Sequence, residues 1–115
     1  MAKVNYGEEP KRLENIGGGA YYYNWDIEQV EIPASEGQEA RTEWECQQVK
    51  VYAPIDRNKV KEAVIKELWG NGVEEKFIND YNAAVLGIGD ESKIDTYKAF
   101  LAERERVKAL VEEVL

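Results

Sequence analysis

The fold turns on Tyr21-Tyr22-Tyr23-Asn24-Trp25-Asp26-Ile27-Glu28-Gln29-Val30-Glu31-Ile32. Aromatic and β-branched residues dominate this stretch, and both types favour extended strands. Alternation sets Tyr21, Tyr23, Trp25 and Ile27 on one face, with Tyr22, Asn24, Asp26 and Glu28 opposite. Past Glu28 the phase slips, because Gln29 and Glu31 are polar while Val30 and Ile32 are apolar. A second run behaves the same way: Trp44 and Cys46 share one face, then Val49, Val51 and Ala53 share the other.

An antiparallel pairing of Trp25 with Val51, Ile27 with Val49, Val30 with Cys46 and Ile32 with Trp44 brings the two slips to one level. A bulge shifts one arm only, so a matched change predicts a ribbon whose base packs on the core and whose distal part turns its apolar face away. Pro33 to Ala40 supplies the polar connection. Val30, Ile32, Trp44 and Cys46 then become the candidate interface residues, since exposed apolar clusters mark contact surfaces. The competing expectation is that ribbon twist, or a cover made by residues 1–19, keeps this cluster inside one chain.

After Pro54 the periodicity becomes helical. Asp56 is an N-cap candidate, Val60, Ala63, Val64 and Leu68 form a stripe, and Gly70-Asn71-Gly72 stops the helix. A second helix begins with Glu74 and Glu75 and buries Phe77, Ile78, Tyr81, Ala84 and Val85. A third opens at Asp90 or Ser92, with Ser92-x-x-Asp95 resembling a capping box. The expected fold class is α+β: a long antiparallel hairpin (about 20–32 and 42–53) packed on three helices (about 57–69, 73–86 and 92–114). Residues 1–19, ending in Gly17-Gly18-Gly19, read as a flexible lead-in to a single domain over 20–115. Tyr21, Tyr23, Trp25, Val49 and Val51 are expected to meet Val64, Leu68, Phe77, Tyr81 and Leu101.

Composition narrows the chemistry. The 115 residues contain no histidine and one cysteine, so a Ser-His-Asp triad, imidazole-ligated metal and an intrachain disulfide are excluded. No cofactor, metal or small-molecule ligand is expected. Carboxylate chemistry would fall to Asp26, or to Asp80 beside Tyr81, and no pairing of acids is visible; the chain reads as a non-enzyme. The net charge is −8, with 11 acidic and 5 basic side chains in residues 1–56 against 12 and 10 in residues 57–115. Between positions 24 and 47, Asp26, Glu28, Glu31, Glu36, Glu39, Glu43 and Glu45 face only Arg41. Such a surface repels phosphate backbones and disfavours nucleic acid. Neither a transmembrane run nor a secretory leader is recognisable, which places the chain in the cytoplasm.

The order Tyr-Asn-Trp-Asp-Ile-Glu, then Trp-Glu-Cys-Gln-Gln-Val-Lys-Val, then Tyr97-Lys98-Ala99-Phe100-Leu101-Ala102-Glu103-Arg104-Glu105-Arg106-Val107-Lys108 resembles small proteins encoded in the tail modules of phages and prophages, including those of gut bacteria. The resemblance covers residues 20–115 and carries over no catalytic residue. It implies a structural or assembly role in the tail. The partner is then another tail subunit or a second copy, in the bacterial cytoplasm or on the virion. The charge pattern supports a different expectation: a regulatory or inhibitory module that offers an acidic hairpin to a basic protein.

Overall fold

The computed structural model describes residues 3–115. Four strands, β1 (Lys3–Tyr6), β2 (Leu13–Gly17), β3 (Ala20–Ile32) and β4 (Arg41–Tyr52), form one antiparallel sheet in the order β1-β4-β3-β2. Three helices follow, α1 (Arg57–Trp69), α2 (Val73–Val85) and α3 (Ser92–Val114). The fold is α+β, and the hairpin and all three helices lie where the sequence periodicity puts them. None of the described helices is long and apolar enough to cross a membrane.

Residues 3–19 depart from the flexible lead-in expected of them. β1 pairs with β4, Val4 opposite Cys46 and Tyr6 opposite Trp44, while β2 pairs with β3, Leu13 opposite Tyr23. Gly17, Gly18 and Gly19 have φ of 85°, 63° and 76°, so the triple glycine is the turn between β2 and β3. Left-handed backbone at three successive positions is open to glycine without steric cost.

The register of the central pair also differs from the expected one. Tyr23 lies opposite Val49 and Trp25 opposite Gln47; then β3 carries one extra residue, and Glu28 lies opposite Glu45, Gln29 opposite Trp44, Val30 opposite Glu43 and Ile32 opposite Arg41. The slip on β4 is plain alternation: its two apolar sets point to opposite faces of a regular strand. On β3 the slip is a bulge at Asp26-Ile27, where Asp26 has φ of 51°. One extra residue reverses the parity of that strand alone. Val30 and Ile32 therefore return to the helix side, and Trp44 and Cys46 stay on the other. The four predicted interface residues do not share a face.

The core lies between the sheet and the helices. Tyr23, Trp25 and Val51 pack with Val60 and Val64 of α1 and Val107 and Val111 of α3, and Leu13, Tyr21, Val49, Leu68 and Val114 flank them. Asp56 caps α1 by accepting from the Lys59 N–H at 2.8 Å. The helix ends at Gly70, where a Cβ would clash with the Lys66 carbonyl oxygen. At α3 the capping-box reading gives way to a simpler one, in which the Asp90 carboxylate takes the Ser92 N–H at 2.9 Å.

Helix α3, 23 residues and about 35 Å long, runs antiparallel to α1 and α2, which follow each other along it. Near its C-terminus Glu112 meets Lys61 and the Leu115 carbonyl takes the Arg57 guanidinium; further up, Arg104 meets Glu74 and Tyr97 meets Tyr81. Phe77 stacks on Phe100 at 4.6 Å and Trp69 meets Phe100 edge-on at 5.1 Å. Phe77 and Tyr81 thus pack on α3 and not on the sheet as expected, and Leu101 is 42 % exposed. A compact chain of this length has a radius of gyration of about 13 Å. The observed value is 18.0 Å, with extents of 57 × 41 × 23 Å, because both the distal ribbon and the α2–α3 pair project from the shared core.

Candidate contact surface on the ribbon

The bulge divides the ribbon in two. Below it, β2 lies along the outer edge of β3 as far as Tyr23, and the Arg12 carbonyl accepts the Asn24 N–H at 2.8 Å. Above it, from Glu28 to Ile32, no described strand pairs with that edge. No residue of either strand beyond the bulge belongs to the helix-side core. Ser35 and Gln38 exchange backbone hydrogen bonds of 2.9 and 3.1 Å, closing the tip.

Arg106 of α3 clamps the bulge itself. Its two terminal nitrogens donate to both Asp26 oxygens at 2.8 and 2.9 Å, and its Nε and one terminal nitrogen also reach Glu103. The hydrogen bonds from Arg106 hold the Asp26 carboxyl below its ordinary range, and those acids push Arg106 further up. Asp26 is therefore a fixed anion. It lines a cleft of about 310 Å³ with Glu9, Arg12, Trp25, Ile27 and Leu110. Asp80, the other acid considered for chemistry, lines a separate cleft with Lys76, Lys93 and Thr96, while its neighbour Tyr81 stacks on Tyr97 at 4.6 Å. The fold does not bring the two acids together.

On the face away from the helices, the connection from β1 to β2 crosses the sheet above Asn24, Cys46 and Gln48. Asn24, fully buried, donates to the Lys11 carbonyl at 2.7 Å and accepts from Gln48 at 3.0 Å; Gln48 also donates to the Tyr6 hydroxyl at 2.6 Å. Such a network satisfies a polar side chain that would otherwise be costly to bury. Cys46 is fully buried beneath this cover, and burial pushes its thiol up. Trp44 is half-buried beside Tyr6. Residues 3–19 thus cover this half of the expected cluster. Val30 and Ile32 remain half-buried on the distal ribbon, outside the core.

The acidity of the ribbon survives local pairing only in part. Arg106 takes Asp26, Arg41 takes Glu43 at 2.8 Å and Lys3 takes Glu45 at 3.2 Å. Among the described residues Glu28, Glu31, Glu36 and Glu39 form no salt bridge. Glu28 and Glu45 are directly opposite across the strands, a like-charge pairing that destabilises a ribbon unless a cation approaches. Compared with protein-family models, with curated proteins and with solved structures, the chain shows no match.

Sequence reasoning missed Asn24, Gln48, Tyr6 and Arg106. Asn24 carried a signal, being the single amide between Tyr23 and Trp25 in an aromatic strand. Arg106 carried none, because its partner lies 80 positions away.

Proposed function

We propose that this chain is a non-enzymatic assembly component that acts by protein–protein contact through the distal half of its β3–β4 ribbon. Its open surface comprises the β3 edge from Glu28 to Ile32, the apolar pair Val30 and Ile32, and the carboxylates of Glu28 and Glu31. The observation that carries this reading is the uncovered β3 edge. Exposed strand edges invite pairing with another chain, and beyond the bulge no strand among the described residues pairs with this one. An assembly role also agrees with the resemblance to phage tail-module proteins, which work in the bacterial cytoplasm and on the virion.

A second reading, favoured by the four carboxylates without a salt bridge, is a regulatory module that takes a basic partner on the same acidic ribbon. Both readings use one surface and differ in its setting. Co-expression with the products of the genes flanking its own tests the assembly role. The variant Glu28→Gln/Glu31→Gln/Glu36→Gln/Glu39→Gln is expected to fold as the parent does and to drop out of the resulting complex. Unchanged incorporation contradicts the ribbon as the contact surface.

A further inference from the structure

The α2–α3 end of the molecule carries its own anomaly. α2 and the first half of α3 pack on each other, with Trp69 of α1 against Phe100 at the inner end, and one flank of that pair carries exposed apolar side chains. On α2, Ile78 and Val85 lie two turns apart on the flank that also bears Tyr81; they are 40 % and 57 % exposed. On α3, Ile94, Lys98, Leu101 and Glu105 follow the i, i+4, i+7, i+11 spacing of one stripe, beside Tyr97. The stacking of Tyr81 on Tyr97 places the two stripes on the same side of the hairpin. Soluble chains rarely leave such a contiguous set uncovered.

The charges flanking Leu101 identify what covers it. Lys98 lies one turn before Leu101 and forms no salt bridge among the described residues. Glu105 lies one turn after Leu101; its side chain is 71 % exposed and reaches only Lys108, at 3.3 Å. A stripe with a cation three residues before its apolar centre and an anion four residues after it is complementary to itself when reversed about a point between Leu101 and Ala102. Parallel stacking would oppose like charges; a twofold axis between Leu101 and Ala102 opposes unlike ones twice.

We propose that a second copy of this chain occupies this face, with α3 antiparallel to the partner's α3 about this axis. Leu101 meets its counterpart, Lys98 of each copy pairs with Glu105 of the other, and Ile94 lies along the aliphatic stem of Lys108. Because the C-terminal half of α3 packs on the sheet, the two ribbons project from opposite ends of the dimer. This inference does not depend on what the ribbons bind.

Sedimentation velocity across about two decades of protein concentration, with circular dichroism as the fold control, tests it. The parent chain is expected to pass from monomer to dimer as concentration rises. Leu101→Glu is expected to stay monomeric with unchanged helix content. Lys98→Glu and Glu105→Lys each disturb two symmetric contacts and are expected to weaken the dimer by about tenfold. Lys98→Glu/Glu105→Lys, which restores both pairs with the signs exchanged, is expected to recover it. A parent chain monomeric at every concentration overturns the proposal, and so does a Leu101→Glu dimer or a double variant no better than the singles.

Discussion

Arg106 Nη1 and Nη2 donate to the two carboxylate oxygens of Asp26 at 2.8 and 2.9 Å, joining the last helix to the bulge that divides the ribbon. Asp26 occupies left-handed backbone at φ of 51°, which Asp tolerates better than most residues with a Cβ. The pair therefore secures the one irregular position in β3 and fixes where the distal ribbon leaves the body.

The pair sets an acid-side stability profile. Arg106 lowers the folded-state pKa of Asp26, so the contribution is complete above the unfolded carboxyl value of about 4 and is lost as pH falls through the lowered folded one. Both side chains are more than two-fifths exposed, so the expected loss in Asp26→Asn is only about 0.5–1 kcal/mol at pH 7. Urea titrations from pH 7 to pH 2 check it: the difference between parent and variant should shrink toward zero in acid. A difference constant with pH would mean that the ion pair contributes nothing.

Tyr23 sets the alkaline side. Burial pushes its hydroxyl up to about 12, while the unfolded value is about 10. Stability conferred by the protonated phenol is complete below pH 10 and declines as pH rises through that interval, because the unfolded chain releases its proton first. Tyr6, raised by burial as well, acts in the same direction. Tyr23→Phe is therefore expected to flatten the fall in thermal midpoint between pH 10 and pH 12, and a slope equal to the parent's would contradict the burial of that hydroxyl.

How far the fold was legible in the sequence is clearest at the hairpin and the three helices, whose signals are periodic and local. The phase slip after Glu28 was a true signal read with the wrong cause. A matched change on two strands and a bulge in one predict the same pattern of letters, and only the partner strand distinguishes them. β1 and β2 were hidden because short edge strands carry few side chains and Gly17-Gly18-Gly19 reads equally as a linker or a turn. Half of the candidate interface fell for the same reason. Trp44 and Cys46 look exposed on a two-stranded ribbon, whereas on a four-stranded sheet they lie beside Tyr6 and Val4 of β1, with Cys46 fully buried.

Cys46 reports on that cover. With no solvent exposure and a thiol raised by burial, it is expected to react with a disulfide reagent about a hundredfold or more slowly in the native chain than in urea, because reaction requires local opening. Tyr6→Ala removes the hydroxyl that accepts from Gln48 and should accelerate labelling without lowering global stability by more than about 2 kcal/mol. Labelling at the denatured rate in the parent chain would restore the exposed outer patch.

The central claim is that the uncovered edge of β3 accepts an extended partner and that its free carboxylates select a basic one. Backbone amide spectra, recorded while titrating a short peptide of alternating Lys and Val, test this most directly, since strand addition engages main-chain groups along one edge. Shifts confined to Glu28–Ile32 are predicted, weaker in Glu28→Gln/Glu31→Gln and absent with a peptide of alternating Glu and Val. Silence along that edge, or equal shifts with both peptides, would contradict the account.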